Sequence, residues 1–285
     1  MNEPLETWIG RSETRSDVLS PQPARFMQAT LDRNASLTDG SALPPLWHWL
    51  YFLDAKPASA LGRDAHPKKG GFLPPVPLPR RMWAGGRFEF VQPLILGLSA
   101  TKISTIIDVQ EKTGRSGPLC FVTVRHELFQ HGTCVLTEEH DIVYRDDPKA
   151  GTAPPREQIA PQSPQNTTQI TPTEVMLFRY SALTFNGHRI HYDADYARQV
   201  EGYDGLVFHG PLTATLLADM ASDASKATMT SFEFRAISPL AGMAPFTINS
   251  RDENGGCSLW ARRNDGALAM TARAHYDRTS VFSGS

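Results

Sequence analysis

FEFRAISPLAGMAPFTINSRDENGGCSLWARRNDGALAMTARAHY, residues 232–276, decides how the chain is built. Apolar and polar side chains alternate along it, and two dipeptides interrupt the alternation, Asn254-Gly255 and Asp265-Gly266. A tight hairpin needs positive φ at its centre, which glycine adopts freely and Asn or Asp tolerates, so both dipeptides predict two-residue turns. Strands are expected near Pro245–Arg251, over Cys257–Arg263 and over Leu268–Tyr276, forming an antiparallel meander.

The opening tripeptide of this stretch recurs. Phe232-Glu233-Phe234 is followed by Pro239-Leu240 and Gly242, while Phe88-Glu89-Phe90 is followed by Pro93-Leu94 and Gly97. The first copy opens its own predicted meander, with strands over Arg87–Gln92, Thr101–Glu111, Leu119–Leu128 and Thr133–Tyr144, turning at 114–118 and at Gly132. Ahead of the second meander, Leu212, Leu216, Leu217 and Met220 share one face of a helix predicted over Leu212–Ser222, with Gly210 as N-cap and Pro211 at the first helical position. Ahead of the first, the proline-led apolar run Leu43–Leu53 reads as the corresponding core helix. A shorter helix is expected over Pro23–Asp32, with Phe26, Ala29 and Thr30 at helical spacing. The pattern predicts an α+β fold in which a helix lies on a curved antiparallel sheet, twice. It divides the chain into an N-terminal half, 1–145, a proline-rich linker, 146–172, and a C-terminal half, 173–285. Residues 54–79 hold six prolines and several glycines, the composition of a long ordered loop or lid.

Composition narrows the function. The 285 residues carry 28 basic and 30 acidic side chains, a formal net charge of -2, with no basic cluster, so no nucleic-acid partner is expected. Cys120, Cys134 and Cys257 are odd in number and lack a CxxC spacing, which fits a reducing, cytoplasmic setting rather than a disulfide framework or a thiolate zinc site. The start, MNEPLETWIGRSETRS, has neither a basic n-region nor an apolar run, so no secretory signal is expected. No apolar run is long enough to predict a membrane span.

Chemistry is expected in FRYSALTFNGHRIHYDADYARQVEGYDGLVFHGPLTATLLADMASD, beginning at Phe178, where periodicity fails and His188, His191 and His209 gather. Asp193 can N-cap a short helix, Ala194–Glu201, ended by Gly202, which would pin the polar loop before it. The unpaired N–H groups at the helix start near Gly210 suit a developing oxyanion. His188-x-x-His191 has the spacing of a metal pair, yet no HExxH or nearby cysteine accompanies it, so no metal is expected.

These segments, FNGHRIHYD and FHGPL, together with LPRRMWAGG at Leu78–Gly86, resemble the MaoC-like hot-dog hydratases, in the branch of type 2 hydroxyacyl-thioester dehydratases and mesaconyl- and itaconyl-CoA hydratases. The resemblance implies a double hot-dog fold. The family signature G-D-x-N-P-x-H aligns His191 with the catalytic His and Asn186 with the Asp, while His188 and Arg189 replace the Asn and Pro. It implies a hydro-lyase adding water across an enoyl-CoA, with a short dicarboxylic acyl group such as mesaconyl-C4-CoA or itaconyl-CoA, yielding citramalyl-CoA. His191 is the expected acid/base, Asn186 the group holding water or the ring, and the Gly210 N–H the oxyanion donor. An amide cannot exchange a proton as a carboxylic acid does, so a further proton partner is needed, with Asp193, His188 and Tyr192 as candidates. Arg80, Arg81, Trp83, His188, Tyr192 and His209 are expected at the substrate, the arginines reading a carboxylate or the CoA phosphates. Lys68-Lys69 are either phosphate contacts or a solvated loop tip. No cofactor beyond the CoA of the substrate is expected, and a homodimer is the family expectation. Alternatives left open are a fatty-acyl 3-hydroxyacyl-thioester dehydratase, an acyl-thioester-binding protein without turnover, and a hot-dog thioesterase.

Overall fold

A computed structural model describes residues 3–114, 117–147, 157–225 and 227–277. Ten strands form one antiparallel sheet: β1 (Ser12–Val18), β2 (Arg80–Phe90), β3 (Ser99–Gly114), β4 (Gly117–Gln130), β5 (Thr133–Arg145), β6 (Asn166–Ile170), β7 (Met229–Ala236), β8 (Phe246–Glu253), β9 (Gly256–Arg263) and β10 (Leu268–Tyr276). Their spatial order is β1-β3-β4-β5-β2-β7-β10-β9-β8-β6. Each half has the same topology, the outer strand being first in sequence and the inner strand second. The two halves therefore meet where β2 pairs with β7.

The repeated tripeptide sits at that seam. Phe88 lies opposite Phe232 and Gly86 opposite Phe234, and the aromatic rings stack across the junction, with Phe88 and Phe234 centroids 6.2 Å apart. A Cβ at Gly85 would stand 2.6 Å from the Phe234 carbonyl oxygen, so glycine is required for the two strands to approach. Gly97 and Gly242, matched in the two copies, both turn with positive φ.

The second half carries the long helix α4 (Gly210–Ala224), which follows α1 (Pro21–Thr30), α2 (Glu174–Leu183) and the short α3 (Ala194–Gln199). Its Leu212, Leu216 and Leu217 are buried against the sheet, and its Thr213 and Thr215 hydroxyls, also buried, donate to carbonyls one turn back, so burial leaves them satisfied. The N-cap is His209, and Gly210 is already the first helical residue, one position earlier than expected, with Pro211 tolerated inside the first turn where no intrahelical N–H is needed.

Among the described residues the first half has no matching long helix. Leu43–Leu53 forms only a 3-10 turn, Trp47–Leu50, preceded by Leu46 at φ 67 and followed by Phe52 at φ 58. Leu43, Leu46, Trp47, Leu50, Tyr51 and Phe52 are buried rather than forming one stripe, and the segment is held by long-range bonds, the Phe52 N–H to Asp17 and the Tyr51 hydroxyl to the Ser20 carbonyl. Helical cover for this half comes from that turn and α1, whose buried face is Ala24, Met27 and Thr30, with Phe26 outward. Trp47 Nε1 donates to Asp219 of α4 at 3.1 Å, joining the helical layers.

Two edge strands were not expected. β1 falls in the polar start of the chain, for which no strand is predicted, and β6 lies inside the proline-rich linker, of which 148–156 fall outside the described residues. Among the described residues no helix is long and apolar enough to cross a membrane.

Candidate active site

A cavity of about 520 Å³ opens where the start of β2, the loop of residues 54–79, the Asn186–His191 turn and the N-terminus of α4 converge. His191 ends a 3-10 turn, Arg189–His191, and is 6% exposed. Its Nδ1 lies 2.7 Å from the Val207 carbonyl oxygen. A carbonyl only accepts, so Nδ1 carries the proton and Nε2 is left with its lone pair.

Burial holds the His191 pKa down to about 4, so the ring is uncharged at neutral pH. A depressed base stays competent down to its own pKa. Activity is therefore expected to persist at pH 5 and to be lost as pH falls through about 4, measured as kcat/KM in short pH-jump assays. For stability the sign is the same. The unfolded chain binds the proton first, so stability is full above about 6.5 and declines as pH drops towards 4.

His209 stacks on His191 with centroids 3.6 Å apart and planes at 18°. It is wholly buried, bonded through Nε2 to Ser181 Oγ at 2.8 Å, and does not line the cavity. The expected substrate contact at His209 is thus corrected to a support for the His191 ring. Burial likewise keeps His209 uncharged.

Asn186 lines the cavity, and its Oδ1 accepts the His188 N–H at 3.0 Å, which shapes the turn. His188 lines it too, while Tyr192 is 54% exposed and outside it, a second correction that follows from its position beyond the 3-10 turn. Asp193 is occupied otherwise, capping α3 through the Tyr196 N–H and receiving Arg189 in an i,i+4 ion pair, so it is no proton partner for His191. Gly210 lines the cavity at the first turn of α4, where its N–H has no intrahelical acceptor. A Cβ placed there meets nothing within 4 Å, so the backbone faces open space.

The arginines divide. Arg80, 4% exposed, also lines the cavity, but it is paired at 2.7 Å with Glu201 and donates to the Tyr203 hydroxyl at 2.8 Å, so its charge is already partnered in the wall. Arg81 lines the cavity and, among the described residues, has no carboxylate in ion-pair reach. Its charge adds to burial in holding down His66, His140 and His188. Trp83 forms an aromatic wall, 3.9 Å from the His140 ring. Lys69 turns inward and donates to the Val76 and Leu78 carbonyls, so it fixes the loop rather than a phosphate.

Sequence reasoning missed Asp64 and His66. Both stand on the 54–79 loop and line the cavity, hydrogen-bonded to each other at 2.9 Å between Asp64 Oδ2 and His66 Nδ1. The loop docks on the His191 turn through the Arg189 N–H, which donates to the Asp64 carbonyl at 3.1 Å. The available signal was an acid and an imidazole two residues apart in an ordered loop. Asp64, His66 and His188 bring one donor atom each within 4.8 Å, as do His126, Glu138 and His140. In the first group the Asp64–His66 hydrogen bond and the neighbouring Arg81 charge weigh against a cation; in the second, Glu138 is already engaged by His48 at 2.9 Å and Trp49 at 3.1 Å.

The sequence model for hydroxyacyl-thioester dehydratase type 2 matches residues 46–242, a span that contains the whole cavity turn and the loop. The chain belongs to this family. A relative, mesaconyl-C(4)-CoA hydratase of Chloroflexus aurantiacus, is 45% identical over 266 residues, 93% of this chain and 95% of its own length. The fold recurs in a MaoC-like dehydratase from Phytophthora capsici, with TM-score 0.68, 14% identity and coverage of 94% of this chain and 96% of that one. A Mycobacterium tuberculosis protein described as a double hot-dog fold aligns with TM-score 0.57 at 12% identity over 94% of this chain and 96% of its own. The double hot-dog architecture expected from the resemblance is thus the fold of this hydroxyacyl-thioester dehydratase type 2 family member.

Proposed function

We propose that the protein reversibly hydrates a short dicarboxylic enoyl-CoA, mesaconyl-C4-CoA or itaconyl-CoA, to citramalyl-CoA. The observation that carries this reading is the uncharged His191, its Nε2 freed by the Val207 carbonyl, in a cavity that also receives the N-terminus of α4. On mesaconyl-C4-CoA, whose double bond is conjugated to the thioester, water gives a proton to His191 Nε2 as its oxygen bonds to the β-carbon. The π pair moves onto the thioester oxygen, which takes a hydrogen bond from the Gly210 N–H, and protonation of the α-carbon restores the carbonyl. No metal or redox group is needed for these steps, and CoA enters only as part of the substrate. Cytoplasmic location and a homodimer belong to the same proposal, the first supported by three free cysteines.

Arg81 favours the dicarboxylic acyl group over a fatty chain, because an apolar chain gives a guanidinium in the wall nothing to bind. Arg81→Gln is expected to lower kcat/KM on mesaconyl-C4-CoA roughly 10- to 100-fold, the worth of a charged hydrogen bond, while crotonyl-CoA changes by no more than a few-fold. Absorbance of the conjugated thioester measures both. An equal loss on both substrates would remove the carboxylate contact. Preference of the wild type for crotonyl-CoA or longer chains would move the assignment to fatty-acyl dehydration, binding without turnover would leave an acyl-thioester carrier, and release of free thiol would mark a thioesterase.

A further inference from the structure

Asn186 aligns with the Asp of the signature that this chain resembles, and an amide has no proton to exchange at neutral pH. The first half of the chain places another acid at the same cavity. Asp64 Oδ1 accepts the His66 backbone N–H at 3.1 Å and Oδ2 faces His66 Nδ1 at 2.9 Å, a chelate that fixes the imidazole. A carboxylate held ionised by that ring accepts only, so His66 carries its proton on Nδ1 and leaves Nε2 open. The His66 ring lies 4.3 Å from the His188 ring, which lies 5.4 Å from the His191 ring. Where Gly187 passes the loop, a Cβ would meet the Ala65 carbonyl oxygen at 3.4 Å, so the loop and the turn carrying Asn186 are closely apposed.

We propose that His66, oriented by Asp64, is the second proton-transfer group of the hydration, in the role that a carboxylate at position 186 would fill. The inference rests on the hydratase reading above. Asp64 is a positioning residue. In the hydration direction the water O–H bond breaks and its proton goes to His191 Nε2 while oxygen bonds to the β-carbon and the enolate forms. The proton then moves through the cavity to His66 Nε2, with the His188 ring neighbouring both. His66 Nε2–H gives it to the α-carbon, the thioester carbonyl re-forms, and both imidazoles end neutral. Burial holds His66 below the usual imidazole range and Arg81 adds to that, while the Asp64 hydrogen bond and charge work the other way and supply the support for its imidazolium that His191, with only a neutral carbonyl behind it, lacks. Arg81 and Glu201 act on His66 alongside Asp64, and the His188 ring lies beside it.

The test is steady-state hydration of mesaconyl-C4-CoA, itaconyl-CoA and crotonyl-CoA by the full chain and by His66→Gln, Asp64→Asn and Asp64→Glu, with folding checked by circular dichroism. His66→Gln is expected to lower kcat roughly 10²-fold with KM within a few-fold, as loss of one acid/base group does. Asp64→Asn is expected to lower kcat about 10-fold and move the pH optimum down by about one unit, with Asp64→Glu recovering part of both. A folded His66→Gln enzyme with kcat within 3-fold of wild type, or a loss confined to KM, overturns the proposal. An unchanged pH profile in Asp64→Asn overturns the positioning role. If wild type hydrates none of the three thioesters, the hydratase reading itself fails and takes this inference with it.

Discussion

His191→Ala is expected to lower kcat roughly 10²- to 10⁴-fold, with KM changed by no more than a few-fold, in steady-state hydration assays. The size follows from where the ring sits. At 6% exposure it is dry, and the Val207 carbonyl, 2.7 Å from Nδ1, fixes the tautomer that leaves Nε2 basic. His209, stacked at 3.6 Å and uncharged, holds the plane of the ring without competing for the proton. Alanine removes the base and leaves the α4 N-terminus and the Arg81 wall in place, so binding survives and turnover does not. A mutant retaining near-wild-type kcat would take His191 out of the mechanism.

Glu201→Ala is expected to destabilise the protein by roughly 3–5 kcal/mol, read as a lowered midpoint in urea unfolding. The Arg80 and Glu201 side chains, from opposite halves of the chain, are 3% and 6% exposed and lie 2.7 Å apart. Removing the carboxylate strands a guanidinium in a dry wall, with Tyr203 as its remaining partner, and takes the acceptor of the Tyr196 hydroxyl as well. Replacing both charges, as in Arg80→Met with Glu201→Leu, is expected to cost far less than the single change, because no buried charge is left unpaired. Equal stability of Glu201→Ala and wild type would show that the pair contributes nothing to joining the halves.

Much of the fold was legible because its signals are local. Asn254-Gly255 and Asp265-Gly266 made their hairpins, with Gly255 and Gly266 both at φ 89, and the Phe-Glu-Phe repeat marked the two strands that meet at the centre of the sheet. The edge strands β1 and β6 escaped because their side chains are mostly solvated, so little hydrophobic pattern exists to read and the backbone ladder alone holds them. Leu43–Leu53 misled for the opposite reason. Trp47, Leu50, Tyr51 and Phe52 are all buried, and a run apolar on every side reports burial without reporting a helical period.

The site was legible only where one segment carried it. His191, Asn186, His188 and Gly210 lie within 25 residues of sequence and converge on one cavity. Asp64 and His66 reach that cavity from the other half through a loop without periodicity, held by the Arg189 N–H across more than a hundred residues of chain. Arg80 and Arg81, adjacent and identical in sequence, separate in function because only Arg80 meets a buried acid.

The most direct measurement is hydration of mesaconyl-C4-CoA and crotonyl-CoA, followed by loss of enoyl-thioester absorbance, and of itaconyl-CoA, whose methylene is not conjugated to the thioester, followed by citramalyl-CoA formation, for wild type beside His191→Ala. Selective hydration of a dicarboxylic thioester, abolished in the mutant, is the expected result. Turnover of crotonyl-CoA alone, or equal rates in the two proteins, would contradict the account.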